Sequence, residues 1–320
     1  QGSWEEFPFE MVNEGTFKLV LNPSHSGIFL FKLKYSLDNG ATWFWDRTGF
    51  TKVIVDPPTT REIRLYTLIP TSSGHMGEWK REVERVKALG FNMVHILPVT
   101  RMGASQSPYA ATDLFDVDPS YIDPSDSRAG IEQFADFVKH CRSNGIRLCL
   151  DLVFNHIGID SEMARKVPDW IVPDRNEPDG LLRAGCWHMN SWIKWTDLAK
   201  IHYDLPEETM KDQLWNYMRD YGLFWSSFAA ATGGMIRLDN LHSGHKDFMA
   251  KTLSDIRRTF PELVIQAEFF SDSNTLLKAV SESDLNLLLA NPWEYPFAEN
   301  LRTYISYIHE ISGKLRFLTP

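Results

Sequence analysis

From residue 61 onward the chain alternates two kinds of segment, and that rhythm limits its fold more than any other feature. Near-continuous apolar runs at 63–69, 91–99, 146–154, 235–239, 263–270 and 285–290 read as strands. Between them, 78–89, 131–143, 207–228, 246–260, 273–281 and 297–311 repeat apolar residues at helical spacing. Trp79, Val83, Val86 and Leu89 share one face of the first, and Ile131, Phe134, Phe137, Val138 and Cys141 one face of the second. Gly90 and Asn144-Gly145 supply stop signals. Strands without polar alternation suit a parallel sheet buried on both faces. Strand and helix in strict alternation mean a doubly wound α/β sheet or a (β/α)₈ barrel. Six strand-plus-helix units are countable.

The stretch before residue 58 has another character. Residues 16–21, 27–36, 42–45 and 52–55 are rich in β-branched and aromatic residues, and Asn39-Gly40 is a hairpin signal because a type I′ turn needs two positive φ angles. Asp56-Pro57-Pro58 reads as a linker. The expected organisation is therefore a small β-sandwich module over 4–58 and an α/β unit over 61–320. About fifty residues, 157–206, interrupt the second unit with little periodicity and many Trp, Pro, Asp and Gly, which suits an inserted subdomain. Gln1-Gly2-Ser3 reads as the remnant of a cleaved tag and is left out of the fold reasoning.

Composition narrows the partners. The formal charge is −9, from 33 Lys+Arg against 42 Asp+Glu, with no basic block to track phosphates, so a nucleic-acid partner is not expected. No apolar stretch approaches the roughly 18 residues of a membrane span. Cys141, Cys149 and Cys186 make no metal-ligand pattern, and two of them sit in apolar-periodic segments, which favours a reducing, cytoplasmic setting.

Three strand ends carry polar residues that a buried strand does not need. Asp151, Val153 and Asn155 alternate onto one side of the third strand; a plain loop-capping role accounts for them equally well. On the fourth, Arg237 and Asp239 lie two apart, so a guanidinium beside a carboxylate is expected to keep it ionised, as a nucleophile requires. A structural ion pair is the competing account. Glu268, among Ala267, Phe269 and Phe270 at the fifth strand's end, is expected to hold a proton through desolvation, as a general acid requires. Two carboxyls on adjacent strand ends with opposite protonation are what glycosidic cleavage uses. Trp170, Trp187, Trp192 and Trp195, with His188 and His202, crowd the insertion, either as a sugar-stacking wall or as its core. Trp43 and Trp45 invite the same two readings, with the structural one preferred there.

Asp151 to His156, then Arg237-Leu-Asp239 with His242, then Glu268, in that order on successive strands, resemble the first three signature regions of the α-amylase family of glycoside hydrolases. Residues 90–98, Ser107-Pro-Tyr109-Ala-Ala-Thr-Asp113 and Val117-Asp-Pro119 are similar to that family's second strand and the loop after it. Within the family the Arg237–Ser243 and Ile265–Phe270 runs look closest to the glucanotransferase part of glycogen debranching enzymes; plain α-amylases and maltosyltransferases are the alternative. The resemblance implies a TIM-type barrel and a retaining enzyme acting on α-1,4-glucosidic bonds of an α-glucan or malto-oligosaccharide. It makes Asp239 the nucleophile, Glu268 the acid/base and Arg237 the residue that positions Asp239. Tyr109, Asp151, His156 and His242 would bind the sugar, with Tyr109 stacking on it. Asn155 matches a position that ligates calcium in many amylases, although the short insertion offers no second cluster of oxygen ligands, so no metal or cofactor is expected. The front module is similar to sandwich domains that precede the barrel in debranching and branching enzymes. The family's third carboxylate, in an Asn/Ser-His-Asp motif at the seventh strand, does not occur before Pro320. A fragment inactive alone, or an inactive glucan-binding relic, is therefore the non-enzymatic alternative.

Overall fold

The apolar runs do form one parallel sheet. In the computed structural model, which describes residues 4–188, 191–311 and 315–318, its strands are β1 (Leu65–Leu68), β2 (Met93–Ile96), β3 (Arg147–Val153), β4 (Met235–Asp239), β5 (Val264–Ala267), β6 (Leu287–Leu289) and β7 (Phe317–Leu318). Each pairs in parallel with its neighbour in chain order. The connecting helices are α1 (Met76–Ala88), α2 (Gly130–Ser143), α3 (Glu208–Ala230), α4 (Lys246–Thr259), α5 (Ser273–Glu282) and α6 (Ala298–Ile311). The sequence count of six strands misses β7, whose two residues are too few to show a pattern. Leu65 of β1 and Leu318 of β7 line one cavity of about 800 Å³, so the sheet curls toward a barrel.

Helix faces follow the sequence except at one end: Trp79, Val83 and Val86 of α1 are buried, whereas Leu89 caps the helix and is exposed. Glu207 accepts from the amides of Thr209 and Met210 to start α3, and Asp272 does the same for Asn274 and Thr275 at α5. Trp225 of α3 is buried against Phe134 of α2 and donates its indole N–H to Leu114 O at 2.7 Å, so its polar atom is satisfied inside the core.

Side chains inside the sheet form two levels. Met93, Cys149, Met235, Val264 and Leu287 pack together at the lower one. Above them the register sets Asp151 beside Arg237 and Arg237 beside Gln266, so a polar layer rests on an apolar floor. The insertion is more regular than its sequence suggests: His156–Gly158, Ser191–Lys200 and Arg183–His188 make a three-stranded antiparallel sheet. A further hairpin, Thr100–Met102 with Ala111–Val117, follows β2.

The chain divides into a unit ending at Val55 and another starting at Asp56. In the first, Glu10–Asn13 pairs with Thr16–Lys18, Gly27–Phe31 with Thr51–Val55, and Lys34–Tyr35 with Phe44–Trp45. Asn39 and Gly40 have positive φ, 53° and 91°, and Ala41 N bonds Asp38 O, but this turn sits inside the longer loop between Tyr35 and Phe44. Trp43 and Trp45 are 55% and 56% exposed under the ammoniums of Lys34 and Lys32, so neither is core. Gln1–Ser3 lie outside the described residues. Among those described, no helix is long and apolar enough to cross a membrane.

Candidate active site

Parallel strands deliver their C-terminal ends to one rim, and period-two alternation decides which side chains face inward there. Arg237 is the hub. Its Nη1 donates to both oxygens of Asp151 at 2.7 and 2.6 Å and reaches Asp239 Oδ1 at 3.2 Å; its Nη2 lies 2.8 Å from Glu268 Oε2. Tyr109, brought over the rim by the loop between the hairpin strands, donates its hydroxyl to Asp151 Oδ2 at 3.0 Å. Five of the residues singled out from sequence thus form one network. His156 and His242 flank it: His156 lies beside Trp195, and His242 packs its ring 6.1 and 6.3 Å from Phe269 and Phe270.

The charges are not divided as the sequence suggested. Burial pushes Asp151 up, but Arg237, followed by His95, outweighs it and leaves the carboxyl below its usual value. Asp239 goes the other way: burial and then the charge of Asp151 push its carboxyl well above the usual range, against the single longer contact with Arg237. The expectation that Arg237 keeps Asp239 ionised is therefore corrected, because the guanidinium gives its two-oxygen contact to Asp151. Glu268 also differs from expectation, meeting Arg237 and the amide of Asn240 (3.0 Å) rather than apolar groups alone. Three carboxyls around one guanidinium would total −2 if all were ionised, and in a buried site one proton relieves that repulsion.

The sequence reading missed three contributors. His95 on β2 places Nε2 3.4 Å from Asp151 and Nδ1 3.3 Å from Thr67 of β1. A lone His inside the apolar run 91–99 was the available signal. Gln266 is buried with its amide nitrogen unpartnered, facing the central cavity beside His95 and Arg237. Asn240 adopts left-handed φ 47°, ψ 43° directly after Asp239, a cost of order 1–3 kcal/mol. That turn aims its N–H at Glu268.

The insertion covers one side. Trp195 and Trp170 are partly buried, Trp170 against Tyr217, while Trp192 is exposed; the side chains of Trp187 and His188 lie outside the described residues. Burial, then Lys200, lowers His156 to about 4, so it is neutral near pH 7. Asn155, the calcium candidate, is buried, and its Oδ1 accepts from the Lys200 ammonium. Among the described residues no group of three or more His, Cys, Asp or Glu could hold a metal ion. The donor set at Asn155 does not fit calcium, because a cationic side chain already stands on its oxygen.

Known proteins resemble this chain in sequence and in fold. The family model for the glucanotransferase domain of glycogen debranching enzyme matches residues 58–178, a stretch holding Tyr109, Asp151 and His156. Alpha-1,4-glucan:maltose-1-phosphate maltosyltransferase of Picrophilus torridus is 25% identical over 251 residues, covering 73% of this chain and 37% of that protein. A cyclomaltodextrinase of Thermoanaerobacter pseudethanolicus is 23% identical over 210 residues, covering 62% of this chain and 33% of its own length. The chain therefore spans about a third of the relatives it matches. Among solved structures, an alpha-amylase from Lactobacillus plantarum shares the fold at TM-score 0.61 and 18% identity, covering 82% of this chain and 62% of that one. The debranching enzyme of Nostoc punctiforme does so at 0.60 and 16%, covering 80% and 64%. The ordered strand-end motifs and these matches make the chain similar to enzymes of the α-amylase family, and over residues 58–178 to the glucanotransferase domain of glycogen debranching enzyme.

Proposed function

We propose that this chain carries the catalytic centre of a retaining α-glucan-active enzyme of the glucanotransferase type, cleaving an α-1,4-glucosidic bond and passing the glycosyl chain to a second sugar. The observation that supports it is one guanidinium shared by Asp151, Asp239 and Glu268 at the rim of three adjacent parallel strands. In this reading Glu268 protonates the glycosidic oxygen as the C1–O bond breaks, and the Asp239 carboxylate bonds to C1. An acceptor hydroxyl then attacks C1, releases Asp239 and returns its proton to Glu268. Tyr109 stacks on the sugar, while Asp151, His156 and His242 hold its hydroxyls.

The domain division belongs to the same proposal: a sandwich module before residue 58, the barrel after it, and the insertion as a wall of the sugar site. Buried thiols at Cys141 and Cys149 suit a reducing compartment. The match to a maltosyltransferase favours that activity as the second reading. The test incubates the protein with maltopentaose and resolves product lengths. Products longer than the substrate support transfer, whereas shorter products alone identify a hydrolase. Asp239→Asn is expected to abolish turnover; retained turnover would refute the assignment of the nucleophile.

A further inference from the structure

Where the insertion meets the barrel, the protein supplies its own cation. Lys200 ends the strand Ser191–Lys200, and its Nζ donates to Asn155 Oδ1, two residues beyond β3, and to the backbone oxygen of Ser243 at 2.6 Å, beyond β4. Its backbone is fixed on both sides, N–H to Leu182 O and C=O from Val172 N, each at 2.9 Å. Lys200 also pairs across the ladder with His156. One ammonium therefore joins three segments.

An amide oxygen and a main-chain carbonyl are the kind of hard donors calcium takes, but calcium asks for six to eight of them at 2.3–2.6 Å. Here two such oxygens converge, and what stands on both of them is a tethered positive charge. A divalent ion and an ammonium cannot share these oxygens, since like charges at such range repel strongly in a partly dehydrated place. We infer that Lys200 takes the place of the calcium implied by the resemblance at Asn155, acting as a positioning residue that locks the insertion, with His156 and Trp195, to the rim carrying His242. Being covalently attached, this cation cannot be removed by a chelator. The inference is independent of which glucan reaction the site performs.

Thermal unfolding of the 320-residue chain tests it without any turnover. EDTA, followed by millimolar calcium chloride, is expected to leave the melting temperature where it was. Lys200→Ala is expected to melt roughly 5 °C lower, with recovery in propylammonium chloride and none in calcium chloride; a general packing loss would not respond to a soluble ammonium. Lys200→Met, which keeps the stem's volume, should melt lower as well. A wild-type melting temperature that falls in EDTA and returns with calcium overturns the inference, as does a Lys200→Ala protein restored by calcium or one as stable as wild type. If neither variant folds, the wild-type chelator measurement still decides.

Discussion

Asp239 shows how a site can oppose the stability of the molecule that carries it. Its carboxyl sits above the usual range because burial and Asp151 disfavour the charge. A carboxyl raised in the folded state costs nothing below its unfolded value near 3.9, where both states hold the proton, and costs progressively more as pH rises through the folded value. Asparagine resembles the protonated form. Asp239→Asn is therefore expected to stabilise the fold near neutrality, on the order of 1–3 kcal/mol, with the gain vanishing toward pH 4; denaturant titrations across that range would show it, and a pH-independent difference would contradict it. His156 has the opposite dependence. Its folded value of about 4 lies below the ordinary 6.5, so its contribution is present above 6.5 and lost as pH falls toward 4, amounting to roughly 3 kcal/mol. His156→Gln should flatten that acid-side slope in urea titrations. The residues of the cluster were legible because a guanidinium and three carboxyls stand out at the ends of otherwise apolar strands. Which carboxyl the guanidinium prefers was not legible: that depends on Asp151 meeting Arg237 across the β3–β4 register, a contact between residues 86 apart.

Among the elements, the long strands and helices could be read because their periods are strong. The insertion could not, since its pairing is antiparallel between segments of mixed composition, and β7 could not because two residues carry no period. Close approach was also invisible. Gly158, at the end of the insertion's first strand, lies where an added Cβ would come within 2.8 and 2.9 Å of the carbonyl oxygens of Ala111 and Ala110. These are backbone atoms of the loop and strand that seat Tyr109, so they can yield only by moving it. Gly158→Ala is expected to destabilise by about 1–3 kcal/mol and to weaken maltopentaose binding, because Tyr109 is displaced from Asp151. Calorimetric titration alongside a urea midpoint checks both effects; unchanged binding would show that the loop and Tyr109 move independently.

At the scale of the whole barrel unit, chemistry and cohesion occupy opposite ends of the sheet. The rim carries the crowded carboxyls, whereas the N-terminal ends of the strands are tied by a polar network around Arg257. This residue is buried, and its guanidinium donates to Leu263 O (2.9 Å), Asp284 O (2.7 Å) and Asn286 Oδ1 (2.6 Å). Asn286 continues to Asp56 at 2.5 Å, and Asp56 pairs with Arg316 at 2.5 Å. The beginning of the unit, the loops before β5 and β6, and the residue before β7 are thus joined through one side chain of α4. Burial lowers Arg257 to about 10, which leaves it charged at neutral pH. Arg257→Met preserves much of the stem's packing but leaves two buried carbonyls and an amide oxygen without their donor, a loss of about 3–5 kcal/mol, or roughly 10 °C in melting temperature. Because nothing in this network touches Asp151, Arg237, Asp239 or Glu268, maltopentaose affinity measured well below the transition should equal that of wild type. A variant that melts normally would show the network to be incidental, and one that folds but loses the sugar would show that the two ends of the sheet are coupled.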